Sequence, residues 1–165
     1  MIWASGLARA NPPAMPSLAD LQGLSKAAQE ENSPSRQRAL VQFAKDSEGE
    51  SPGALAYLSL GFQAFDQKQY SKSSNYFQAA RATATPLQDY AEYYQALSEQ
   101  HGKKHEAVVQ ILEGFAARYP SSRFAAAAVL RQAESLLEMN RSADAIALLL
   151  SPPVPLNPPE AQLLL

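Results

Sequence analysis

The sequence predicts an all-α protein, a right-handed α-solenoid built from helix-turn-helix repeats. Pro52, Pro86 and Pro120 stand 34 residues apart in turn. A helix-breaking residue that returns at such a step marks the joint between repeated helix pairs. The same step carries Ala39 to Ser73 to Ala107, and Phe43 to Phe77 to Ile111. Between the prolines, apolar residues recur at the 3.6-residue spacing of a helix.

Residues 1–16 are rich in Ala, Pro and other small residues, lack a helical period, and read as a flexible lead-in. Ala8-Arg9-Ala10 has the Ala-x-Ala form that a signal peptidase accepts, so the lead-in also reads as a signal-peptide remnant. Four helix pairs are expected over 17–151. The first, 17–52, opens at Ser17 as N-cap with Leu18, Leu21 and Leu24 on one face. It turns at Ser33-Pro34-Ser35 and carries Leu40 and Phe43 on its second helix, before Gly49, Pro52 and Gly53 stop it.

The second pair, 54–87, has Tyr57, Leu60 and Gly61 on its first helix and Ser73, Phe77 and Ala80 on its second. Small residues at Gly61, Ser73 and Ala80 allow close helix crossing, with Phe77 filling the space between neighbouring hairpins. The third pair, 88–121, places Tyr90, Tyr93, Tyr94 and Leu97 on its first helix, turns at Gly102, and runs a second helix from Ala107 through Phe115. At the 34-residue step Gln95 stands where a small residue is expected and Tyr94 where a leucine is expected. Ala145 lies 38 residues after Ala107, which reads as a four-residue insertion. The fourth pair, 124–151, uses Val129, Ala133, Leu136 and Leu137, turns at Asn140-Arg141-Ser142, and continues through Ala145, Ile146, Leu148 and Leu149. Residues 152–165 read as a proline-rich linker followed by the start of another apolar helix, Glu160 to Leu165.

A net charge of −2 offers no basic stripe for a phosphate backbone, so nucleic acid is not expected as a partner. No apolar run reaches the ~20 residues of a bilayer-spanning helix. The absence of cysteine excludes disulfides and thiolate zinc sites. Nothing in the sequence assigns a catalytic, cofactor or metal residue. Arg131-Gln132-Ala133-Glu134-Ser135 has the look of a catalytic glutamate string, yet Glu134 falls within a repeat helix and reads as a solvated surface acid. His101 and His105 sit across a turn, which is poor ligand geometry. The tyrosines are more informative. Tyr94 shares a helix face with Tyr90 and Leu97 and is expected to pack, whereas Tyr93 is rotated by about 100°. Asp89, Glu92 and Tyr93 are therefore the candidate contacts of an acidic-aromatic groove.

The second pair resembles the tetratricopeptide consensus at Tyr57, Leu60, Gly61, Tyr70, Ser73, Phe77 and Ala80. Phe115-Ala-Ala-Arg-Tyr119-Pro120-Ser121-Ser122, followed by Phe124 and an alanine run, resembles a spacer of bacterial envelope repeat proteins. With Ala54-Leu-Ala-Tyr57-Leu-Ser-Leu60-Gly61, the pattern is most similar to the N-terminal superhelical region of soluble lytic murein transglycosylases. That resemblance covers about 17–151. It implies a non-catalytic scaffold in the periplasm or cell envelope that positions peptidoglycan glycan strands for a catalytic domain beyond Leu165, with no cofactor. From the residues alone a cytoplasmic location stays open. So does a free-standing adaptor that binds an extended segment of a partner protein.

Overall fold

A computed structural model describes residues 22–23, 25–26 and 34–150, and every regular element among them is helical. Residues 22–23 and 25–26 are helical, and the elements that follow are α1 (Pro34–Asp46), α2 (Ser51–Asp66), α3 (Tyr70–Arg81), α4 (Gln88–His101), α5 (His105–Leu112), α6 (Phe115–Arg118), α7 (Ala125–Glu138) and α8 (Ser142–Leu150). The helices pack chiefly in chain order, α1 on α2, α2 on α3, α3 on α4, α4 on α5 and α7 on α8, with α5 also meeting α7. The all-α expectation is met among the described residues. The lead-in 1–16, the Ser17 cap and the segment 152–165 lie outside them.

Three turns share one backbone device. Lys68, Lys103 and Asn140 adopt left-handed conformations at φ 58°, 58° and 60°. In each, the left-handed residue donates its amide to a carbonyl three residues back and the next residue donates to one five back. The pairs are Lys68 to Phe65 with Gln69 to Ala64, Lys103 to Gln100 with Lys104 to Glu99, and Asn140 to Leu137 with Arg141 to Leu136, all at 2.8–2.9 Å. This Schellman closure satisfies carbonyls that a helix end otherwise leaves unpaired, and it reverses the chain for the next helix. The sequence points to Gly102 as the turn residue, but Lys103 beside it takes the left-handed position.

These turns give the register of the repeats, and it is not the proline step. Lys68 to Lys103 is 35 residues and Lys103 to Asn140 is 37. Aligned this way, Ala56, Ala91 and Ala128 coincide at 0–2% exposure, as do Ser73, Val108 and Ala145 at 0–1%, and Phe77, Leu112 and Leu149 at 0–6%. The small position at Gly61 falls on Ala96 and Ala133, which are 1% and 0% exposed. The small residue that appears lost at Gln95 is thus present one position later. The four extra residues are also divided, one before Lys103 and three after it, and are not a single insertion behind Ala107. Under the 34-residue step Ala39 is exposed, Ser73 buried and Ala107 half-buried, so those three are not equivalent seats.

Two boundaries also differ from the sequence reading. Pro52 does not close the first pair; it sits in the first turn of α2, where its missing N–H has no helical acceptor to lose. The second helix of the third pair does not run through Phe115. Gly114 takes φ 66° and splits it into α5 and α6, which turns Phe115 and Ala116 inward to 1% and 4% exposure.

The core is a series of clusters strung along the helices. Leu40, Phe43, Ala44, Ala56 and Leu60 join α1 to α2. Leu58, Phe77, Ala80 and Ala91 join α2, α3 and α4, and Tyr93, Ala96, Val108, Leu112, Phe115 and Ala128 join α4 to α5, α6 and α7. Gly61 lies against Phe77 so closely that a β-carbon there would meet the ring at 2.6 Å. Ser73 in α3 donates its hydroxyl to the Gly61 carbonyl at 3.0 Å and also meets the Ser98 hydroxyl of α4 at 3.0 Å, so one small side chain links three helices.

Candidate functional site

Helix α4 is central because neighbours cover it on several sides, leaving Ala91, Glu92, Tyr93, Gln95, Ala96 and Ser98 buried. The three expected groove contacts separate on it. Tyr93, expected to be the more open of its pair, is only 7% exposed. Its ring stacks on Phe124 at 4.4 Å and 8°, with Tyr94 and Phe115 at 5.8 and 6.4 Å. Phe124 is the N-cap residue of α7, so the side of α4 that looks open on its own is closed by a later element.

Glu92 is 3% exposed and is likewise not a groove residue. Its carboxylate pairs with Arg118 and lies 3.8 Å from Arg81, and it accepts the Tyr119 hydroxyl at 3.2 Å. Arg81 also donates to the Gln95 side-chain oxygen at 2.9 Å. A buried carboxylate needs such partners to offset its lost hydration. Burial first, then the Glu92 charge and hydrogen bond, hold the Tyr119 phenol above its usual pKa, which keeps it a donor. Asp89 is half-buried and accepts the Ser122 hydroxyl at 2.6 Å.

Asp89 and Ser122 line an open depression of about 380 Å³ together with Pro86, Arg118, Tyr119 and Pro120. Two of the three regularly spaced prolines thus shape one hollow, at the loops that lead into α4 and α7. Its lining carries both the Asp89 carboxylate and the Arg118 guanidinium.

Next to it runs a strip of half-buried rings, Phe62 and Phe65 from α2, Tyr90 and Tyr94 from α4, and Phe124. Tyr94 meets Phe62, Phe65 and Phe124 edge-on at 4.7, 5.6 and 5.9 Å, and Tyr90 meets Phe124 edge-on at 4.8 Å. These edge-to-face contacts fix the rings while each keeps part of its surface in water. Elsewhere on α4 and α7, Gln100 donates to Glu134 at 3.0 Å and Arg131 pairs with Glu134 at 2.7 Å. Glu134 is therefore not a free surface acid but the acceptor of a bond between two helices. Phe62 and Phe65 belong to no motif in the sequence and only helical spacing could have singled them out, whereas Phe124 stands in the spacer motif without any sign there that it faces Tyr93 and Tyr94.

His101 stacks flat on Tyr70 at 4.4 Å and 9°, and His105 opens α5 on the far side of the turn. Among the described residues no group of three His, Cys, Asp or Glu side chains is placed to hold a metal ion, and no helix is long and apolar enough to cross a membrane. The arrangement is suited to contact: fixed aromatic faces for an apolar or ring-bearing ligand, and a charged hollow for polar groups. No family model, no curated protein and no solved structure matches this chain.

Proposed function

We propose that the chain is a non-catalytic binding scaffold, a right-handed solenoid of tetratricopeptide-like helix pairs that holds an extended ligand across its first helices. The observation that carries this reading is the half-buried ring strip from Phe62 through Tyr94 to Phe124, drawn from three successive units. A ligand lying across α2, α4 and α7 would meet a new aromatic face at each step. Sugar rings and apolar side chains both suit such faces. The sequence motifs at 54–61 and 115–124 favour glycan, as part of the superhelix of a peptidoglycan lytic transglycosylase in the cell envelope. The depression lined by both Asp89 and Arg118 equally suits an extended segment of a partner protein, the alternative adaptor reading.

The test is calorimetric titration with soluble peptidoglycan glycan strands and, separately, with extended peptides, using the parent chain and Tyr90→Leu. The substitution keeps apolar bulk at α4 and removes the ring. Glycan binding weakened by Tyr90→Leu at an unchanged melting temperature supports the scaffold in its envelope form. Peptide binding with the same dependence supports the adaptor. Binding of either ligand that ignores Tyr90→Leu removes the ring strip from the argument.

A further inference from the structure

Helices α5 and α8 flank an open groove of about 430 Å³, and α7, which packs on both, forms its base. Val109, Leu136 and Leu148 supply the apolar surface inside it, all three from the core cluster of α7 and α8. In the register set by Lys68, Lys103 and Asn140, the seats of Val109, Leu136 and Arg141 are held one unit earlier by Ser74, Glu99 and Lys104. There Glu99 accepts the Ser74 hydroxyl and pairs with Lys104 at 3.0 Å, a polar knot that ties α3 to α4 and to the start of α5 and leaves Glu99 13% exposed. Valine and leucine cannot form that knot. Arg141 turns instead to Asp144 at 2.7 Å and reaches Glu106 at 4.0 Å.

The rim of the groove is acidic. Glu106, Glu113 and Asp144 stand against the single cation Arg141, three negative charges to one positive. Arg141 answers Asp144 and Glu106, while among the described residues no cation pairs with Glu113. Glu106 and Glu113 are seven residues apart along the α5 side, about 10 Å on a helical rise. About three residues of extended chain cover the same span.

We propose that this groove docks a basic segment of a partner protein, an extended stretch with lysine or arginine at i and i+3 and an aliphatic side chain between them. The aliphatic group rests on Val109, Leu136 and Leu148, and the two cations meet Glu106 and Glu113. Charge complementarity selects this occupant, because an acidic segment would meet like charge at the rim and a second copy of the chain itself carries a net charge of −2. The groove shares no residue with the ring strip, so the inference goes beyond the ligand of the scaffold and stands or falls separately from it.

The test uses the full chain, isotopically labelled, and two synthetic peptides, one centred on Lys-Leu-Ala-Lys and its twin centred on Glu-Leu-Ala-Glu. The basic peptide is expected to shift the methyl resonances of Val109, Leu136 and Leu148, to bind less tightly as salt is added, and to outcompete its acidic twin. Ala147→Arg, at an exposed position in the lining, should weaken binding by about tenfold or more through like-charge repulsion. Glu106→Gln combined with Glu113→Gln should weaken it several-fold. All three positions are exposed, so circular dichroism and the melting temperature should stay at the parent values. Groove methyls that do not move, equal binding of both peptides, or binding indifferent to these variants would overturn the proposal. Dimers that dissociate in Ala147→Arg would give the groove to a second copy, and nuclear Overhauser contacts from its methyls to residues after 150 would give it to the chain's own end; either result overturns it too.

Discussion

Gly61 and Phe77 form a size-matched pair, and exchanging both tests the register directly. In the next two units the equivalent pairs are Ala96 with Leu112 and Ala133 with Leu149, each sharing one core cluster. Gly61→Ala alone puts a methyl 2.6, 2.7 and 2.9 Å from three atoms of a ring that is 0% exposed. The ring cannot step aside, because Phe62 and Tyr94 hold it at 5.2 and 5.8 Å. Overpacking of this kind costs about 1–3 kcal/mol, and the better helix propensity of alanine returns about 1 kcal/mol. The net loss is then about 0–2 kcal/mol. Phe77→Leu alone leaves a partial void, for about 1–2 kcal/mol on the scale of core truncations. The double variant recreates the Ala/Leu pairing, so the methyl occupies space the ring has vacated. Urea denaturation should show it more stable than the sum of the single changes by at least about 1 kcal/mol, a coupling typical of residues in contact. At about 2–4 °C per kcal/mol for a chain of this size, a melting curve resolves the difference. Additive losses, or a Gly61→Ala variant clearly more stable than the parent, would refute the close contact and the register built on it.

Tyr93→Ala should cost about 3–5 kcal/mol in urea denaturation, as for other large aromatic truncations in a core, whereas an open groove tyrosine would lose little. Lys103→Gly should raise stability by about 0.5 kcal/mol, because the left-handed conformation penalises a side chain by about 1–2 kcal/mol and the freer unfolded glycine takes back about 0.4–1 kcal/mol; the melting temperature reads it. The phenols of Tyr57, Tyr76 and Tyr119 are all raised above 10.0, in each case chiefly by burial. The unfolded chain therefore releases these protons first. Their contribution to stability is complete below pH 10 and is lost as pH rises through the elevated folded values, which denaturation at stepped alkaline pH measures. Glu92→Gln should bring the Tyr119 phenol down towards the ordinary range in an ultraviolet titration, since it removes the second cause of the shift and leaves burial.

The all-helical character was legible because periodic apolar residues, turn prolines and small crossing residues act locally. Gly61, Ser73 and Phe77 could be assigned together from one well-kept repeat. The register beyond that repeat was not legible, because prolines in the joints are free to slide relative to the helices they separate. Pro52 lies inside α2, Pro86 two residues before α4 and Pro120 five before α7. Left-handed lysines also carry no signal that a glycine would have given. The exposure of Tyr93 and Glu92 was not legible for a related reason. Whether Tyr93 or Tyr94 faces water depends on Phe124, and whether Glu92 is solvated depends on Arg118 and Tyr119, more than 20 residues away in the chain. Helical spacing orders residues around one axis but does not say which sides later elements will close.

Among the described helices the main contacts run in chain order, so a disturbance at one of them weakens with each junction it must cross. The amides of α3 and α4, each flanked by strongly packed neighbours on both sides, should exchange more slowly than those of α8, whose main described neighbour is α7. An occupant lying over Phe62, Tyr94 and Phe124 would tie three of these junctions at once, and its grip would register as slowed exchange across the middle of the chain with hardly any movement of the backbone.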